Sequence, residues 1–185
     1  MKSHDVKEIV KTALSLFLIC AVAAGILAGV NFVTAPTIEK NNAEKADLSR
    51  AEVLSAADSF EALDIPGAAA FRGTAKGDTV GYVFTCAASG YNGAVEVMTG
   101  IDSDGKITGI KILTINETPG LGMNANKPAF LQQYEGKSSA LKVVKGAAGD
   151  DSEIAAITSA TITSTAVTNA VNEALSLFSQ IKEVQ

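Results

Sequence analysis

A chain of 185 residues with a net charge of −5 has room for one domain plus an appendage; it carries no basic patch interleaved with aromatics, which excludes a nucleic-acid surface. Its one histidine, His4, sits in the polar N-terminal tail, leaving no imidazole elsewhere for base catalysis or a metal centre. Two cysteines, Cys20 in an apolar run and Cys86 in a predicted strand, fit neither zinc spacing nor a disulfide framework and read as buried thiols.

Residues 13–30 are almost wholly apolar, and no charge occurs between Lys11 and Glu39, so the run is long enough to cross a bilayer as one helix. A lipoprotein signal ending at Cys20 fits poorly, because the bulky Ile19 precedes it. Cleavage after Ala23 or Ala24 would leave a long apolar stretch beyond the cut, so a retained anchor is the reading preferred here. Lys2, Lys7 and Lys11 precede the span, whereas Lys40 and Lys45 beyond it are mixed with Glu39, Glu44 and Asp47. The positive-inside rule then makes 1–12 a cytoplasmic tail and 13–34 the transmembrane helix, with the rest of the chain extracytoplasmic at the cell membrane. Residues 37–57, with Leu48, Val53 and Leu54, read as a helix, so 35–58 is a connecting helix with no flexible linker.

The domain, 59–185, opens near Phe60. Residues 79–87 are rich in β-branched and aromatic side chains, Gly90-Tyr91-Asn92-Gly93 supplies a turn, and 94–101 resumes the strand pattern. Asn92-Gly93 suits a two-residue hairpin loop, both residues tolerating positive φ. Asp102-Ser103-Asp104-Gly105-Lys106 makes a second turn before a strand at 107–113; its acidic spacing lacks the distal glutamate of a calcium loop. Thr118-Pro119-Gly120-Leu121 suits a type II turn, proline setting φ at the first central position and glycine accepting positive φ at the second. A short helix at 127–134, a short strand at 141–145 and a loop at 146–152 follow. The expected fold is α+β: one N-terminal transmembrane helix, then an antiparallel sheet flanked by helices.

The last segment begins with Ile157-Thr158-Ser159-Ala160-Thr161-Ile162-Thr163-Ser164 and runs into an amphipathic helix from about Thr163. Val167, Val171, Ala174, Leu175, Phe178 and Ile181 form one face and Asn169, Asn172, Glu173 and Gln180 the other. No acidic side chain offsets the exposed N–H groups of its first turn, so a hydroxyl-rich helix start is a phosphate-site candidate beside the simpler reading as an N-cap cluster.

Thr158-Ser159-Ala160-Thr161-Ile162-Thr163-Ser164 resembles the S-G-A-T-x-T-S signature of FMN-binding domains. Such domains occur in the G subunit of Rnf-type ion-translocating ferredoxin:NAD oxidoreductases and the C subunit of sodium-pumping NADH:quinone oxidoreductase. Glu117-Thr118-Pro119-Gly120-Leu121-Gly122 is identical to the family's E-T-P-G-L-G run, and Gly90-Tyr91-Asn92-Gly93 is similar to its G-Y-x-G element. The resemblance implies FMN bound covalently to Thr161 through a phosphoester. The helix start, with Thr158, Ser159, Ala160, Ile162 and Thr163, would then surround the phosphate, and Lys145 is the candidate cation facing it. Glu117 and the turn of Thr118, Gly120, Leu121 and Gly122 would lie along the isoalloxazine ring, Leu121 giving an apolar face and the glycines allowing close approach.

The resemblance further implies an electron-relaying subunit of a membrane complex that moves sodium ions or protons, a translocase with no substrate chemistry of its own. Its implied partners are iron–sulfur and multi-span flavin subunits, with a flavin transferase for maturation. One span without an ionisable residue cannot form an ion path, so coupling would lie in those partners. Three residues depart from the signature: Ser159 stands for its glycine, Thr158 for its serine, and Ala155 for an aspartate three residues upstream. Serine at 159 would strain the chain if that position needs positive φ, and Asp151 or Glu153 could replace the missing carboxylate. Other readings are a flavinylated carrier of another respiratory route and a flavin-free assembly module, the latter favoured if Ser159 blocks attachment.

Overall fold

The computed structural model describes residues 3–184; Lys2, part of the charge asymmetry, lies outside them. The chain divides into two compact units, Met1–Lys45 and Ala46–Gln185. Helix α1 covers Ser3–Val53 without interruption, so the expected transmembrane and connecting helices are one element. Pro36 lies inside it and costs one backbone hydrogen bond without ending it. Its stretch Glu8–Ile38 is long and apolar enough to cross a membrane. Cys20 is exposed on this helix, not buried as expected.

The second unit is built on five antiparallel strands in chain order: β1 Ser59–Leu63, β2 Ala69–Ala75, β3 Asp78–Ser89, β4 Ala94–Asp102 and β5 Ile107–Thr114. The last three are the expected meander; β1 and β2 have no apolar alternation that would have announced them. Residues 54–57, expected as helix, leave it because the Asp58 amide already donates to the Thr74 carbonyl (2.8 Å) and the chain is committed to the sheet. The β3–β4 loop has four residues rather than two. Gly90 N–H donates to the Gly93 carbonyl (2.7 Å), and of the two expected left-handed residues Gly93 alone has positive φ.

Each face of the sheet is covered. Helix α3, Thr161–Val184, packs Val167, Val171, Ala174, Leu175 and Phe178 against Phe84, Val95, Val97 and Ile101. On the other face Val53 and Leu54 meet Val83 and Met98. Gly100 permits that second contact, since a Cβ there would run into the Val53 carbonyl. Thr108 hydroxyl donates to the same carbonyl and ties the end of α1 to β5.

Between β5 and α3 the backbone is held by short elements. The helix expected at 127–134 is a single α-turn, α2 Pro128–Leu131, continued by a 3-10 turn at Gln132–Tyr134. Tyr134 is fully buried and its hydroxyl shares a hydrogen bond with Thr168 of α3 (2.7 Å). Strand β6, Lys142–Val144, pairs in parallel with β7, Glu153–Ala155, a partner with no signal in the local sequence. Asn172, expected on the polar side of α3, instead brackets Leu141: its Oδ1 accepts from the Leu141 amide and its Nδ2 donates to the Leu141 carbonyl, both at 2.8 Å. Gln133 brackets Ala155 in the same way, at 2.8 and 3.3 Å. These two amide side chains fix the run-in to α3.

Candidate functional site

Helix α3 starts at Thr161, two residues earlier than its apolar spacing suggested. The preceding residue, Ala160, has no side-chain oxygen, and the first turn contains no acidic residue, so the N–H groups at the helix mouth lack a cap. The approach is tightly closed nevertheless. Ser164 hydroxyl donates to the Ala160 carbonyl and accepts from the Ile157 amide, each at 3.0 Å, while Ala160 N–H donates to the Ile157 carbonyl (3.0 Å). That fold-back requires Ser159 to take φ 63°, the left-handed region glycine enters freely and serine does not. Serine is accommodated there at a cost on the order of 1 kcal/mol.

The second wall is the turn after β5. Leu121 N–H donates to the Thr118 carbonyl (3.2 Å) and Gly120 has φ 78°, the geometry of the expected type II turn. Glu117, just before it, is buried and serves as a clamp. Its Oε1 accepts from the Tyr91 amide at 2.7 Å and the Asn92 amide at 3.4 Å, bonding across 26 and 25 residues of chain. Gly90 is needed at this join because a Cβ would collide with the same carboxylate oxygen. Gly122 is needed on the other side: a Cβ there would stand 2.7 Å from both Glu117 Cβ and Thr163 Oγ1.

These contacts bring the three motifs around one cavity of about 480 Å³, lined by Tyr91, Glu117, Thr118, Leu121, Gly122 and Ser159 through Thr163. Its size falls in the range that takes a cofactor. A second cavity of about 370 Å³ is lined by Lys145, Gly146, Ala156, Ile157, Thr158, Ser159 and Thr161. Thr161 and Ser159 line both. Thr161 is half-buried, and Thr163 is 2% exposed. Large apolar side chains gather at the first cavity: Tyr91 is 72%, Leu121 42% and Ile162 54% exposed. A cluster of uncovered apolar groups beside the uncapped N–H groups at the start of α3 suits a ligand with a flat apolar part and an anionic part.

Every expected site residue except Gly120 and Lys145 lines the first cavity or, for Thr158, the second. Lys145 lines the second, which it shares with Thr161; Gly120 shapes the turn without lining either. Tyr91 joins the site although its motif marked it only as part of a turn. Glu153 is occupied elsewhere. The Gly149 amide (2.7 Å) and then the Lys142 ammonium (3.0 Å) hold its carboxyl below the ordinary range. Among the described residues no group of side chains could hold a metal ion.

Comparison with known proteins identifies the family of the chain. The FMN-binding domain model matches residues 90–176, from the tip of the β3–β4 hairpin into α3, and the RnfG N-terminal region model matches residues 1–53. The G subunit of the Na(+)-translocating ferredoxin:NAD(+) oxidoreductase complex of Acetobacterium woodii is 43% identical, over 97% of this chain and 96% of its own. The G subunit of the proton-translocating complex of Clostridium ljungdahlii is 34% identical, over 94% of both chains. In fold, the chain is similar to the crystal structure of Shewanella oneidensis NqrC, with a TM-score of 0.56 at 22% identity, covering 70% of this chain and 73% of that one.

Proposed function

We propose, for a chain that belongs to the G-subunit family of ion-translocating ferredoxin:NAD(+) oxidoreductase complexes, that it is the membrane-anchored flavoprotein of such a complex and carries FMN as a phosphoester on Thr161. The observation that carries this reading is the convergence of Tyr91, Glu117 to Gly122 and Ser159 to Thr163 on a single cavity. When bound, the flavin supplies reversible electron transfer; the chain supplies its position and its surroundings.

The residues present fit the group. The Thr161 hydroxyl is the attachment oxygen, on one of the two residues, with Ser159, that line both cavities. The uncapped N–H groups of the first turn of α3 and the Thr163 hydroxyl are donors for phosphate oxygens, and Lys145, which lines the second cavity together with Thr161, is the countercharge. Leu121 and Ile162 offer apolar surface to the ring, each contributing on the order of 1 kcal/mol when covered. Glu117 ties the turn after β5 to the β3–β4 tip. A phosphoester tether leaves the ring held by packing alone, so wall rigidity decides its orientation.

The apolar stretch Glu8–Ile38 anchors the protein, with the N-terminal tail cytoplasmic and the domain extracytoplasmic by the lysine bias. Iron–sulfur and multi-span flavin subunits are its electron-transfer partners, and a flavin transferase loads Thr161. Intact mass of the full chain co-expressed with such a transferase tests the reading. The wild type is expected to gain the mass of FMN less one water, and Thr161→Ala to gain nothing. A retained gain in Thr161→Ala, or an unmodified wild type under conditions that load another flavoprotein of the complex, would remove Thr161 from the mechanism.

A further inference from the structure

We infer that Tyr91 is a ring-contacting residue of the flavin site, held by Glu117 so that its phenol lies against the isoalloxazine; the inference rests on the cofactor reading above. The β3–β4 tip is unusually well fastened for a surface loop. Two amides, of Tyr91 and Asn92, are tied to a buried carboxylate, and Gly90 N–H closes the tip on the Gly93 carbonyl at 2.7 Å. Gly90 lies so close to that carboxylate that no side chain fits between them. Yet the side chain this scaffold presents is 72% exposed and lines the 480 Å³ cavity. Ordering a backbone around an uncovered aromatic ring has an entropic cost that the exposed ring does not offset, whereas a pre-positioned ring lowers the cost of ordering a flat ligand against it. Among the described residues Tyr91 is the one aromatic side chain lining that cavity, and stacked or edge contacts between aromatic rings add to area burial alone.

The chain has no tryptophan and three tyrosines, of which Tyr82 and Tyr134 are buried in the core between sheet and α3. A phenol in contact with a photoexcited flavin lends it one electron and takes it back, with no net chemistry, and so abolishes emission. A phenyl ring is too hard to oxidise to do this.

The test uses the full chain in detergent, loaded by co-expression with a flavin transferase, with loading measured by intact mass. Wild type is expected to be dim in the folded state and to brighten several-fold on unfolding. Tyr91→Phe is expected to load fully and be several-fold brighter than wild type when folded, and Tyr91→Trp to stay dim. A fully loaded Tyr91→Phe chain as dim as wild type overturns the contact while leaving the cofactor reading intact. A wild-type chain that acquires no flavin overturns both. Because Tyr91 is exposed, the variants are expected to keep the wild-type circular dichroism spectrum, so a change in emission reports the ring contact and not the fold.

Discussion

Gly120, in the turn that walls the cavity, and Ser159, at the mouth of α3, both have positive φ, 78° and 63°. One carries no side chain and the other a hydroxymethyl group. The left-handed conformation costs glycine nothing and an ordinary residue about 1 kcal/mol. At Gly120 that freedom is all glycine provides, since nothing lies within 4 Å of where a Cβ would stand. At Ser159 the strain is imposed by its neighbours, Ser164 pulling Ile157 and Ala160 onto the first helical turn. The comparison teaches that positive φ is a property of the walls and not of the residue filling the position. Serine is held in a geometry that the hydrogen bonds around it enforce.

Breaking the tie between the Gly120 turn and the β3–β4 tip is expected to have the largest effect. Glu117→Ala leaves the Tyr91 and Asn92 amides without their carboxylate acceptor and is expected to lower unfolding free energy by about 3 kcal/mol, measured by urea unfolding of the full chain in detergent. Glu117→Gln keeps an acceptor oxygen and should recover most of that loss. Gly122→Ala comes next. Its methyl group would crowd Glu117 and Thr163, for a loss of about 2 kcal/mol, accompanied by reduced flavin loading on intact mass.

The left-handed pair itself gives smaller effects of opposite sign. Gly120→Ala is expected to cost about 1 kcal/mol by strain alone. Ser159→Gly is expected to gain about 0.5 kcal/mol, relief of strain being partly offset by the wider freedom of glycine in the unfolded chain. Thermal shifts of the two variants in one buffer decide it: a loss at Ser159→Gly would mean the hydroxymethyl group makes a contact worth more than the strain. The smallest effect is one of acidity, in the loop before α3. Asp150, through Ser152, and Glu153, through Gly149 and then Lys142, are both held below the ordinary carboxylate range. Their stabilisation is therefore complete above that range and is lost as pH falls through the lowered values. A pH titration of the Gly149 and Ser152 amide resonances is expected to show release only in that acid region.

Several features were legible locally. The apolar run without charge announced a helix long and apolar enough to cross a membrane because hydropathy is a sum over neighbouring residues, and Pro119-Gly120 announced its turn because both residues restrict or relax their own φ. The helix at the C-terminus was readable from its apolar face, but its start was not. Thr161 and Ile162 add nothing to that face, and only the Ser164 fold-back shows that the helix begins with them. Asn172 read as part of the polar face of the last helix, and Gln133 carried no signal of its own; both are backbone clamps whose partners lie 31 and 22 residues away.

By itself the sequence determined what depends on near neighbours: a helix long and apolar enough to cross a membrane, the meander of β3 to β5, the tight turns, and the motif residues whose resemblance pointed to flavin. Tertiary structure alone decided that Glu117 serves the hairpin tip, that β6 finds a parallel partner in β7, and that Tyr91 faces the cavity. Each of these is a pairing between distant segments, set by which backbone groups remain unsatisfied once the sheet and α3 have packed.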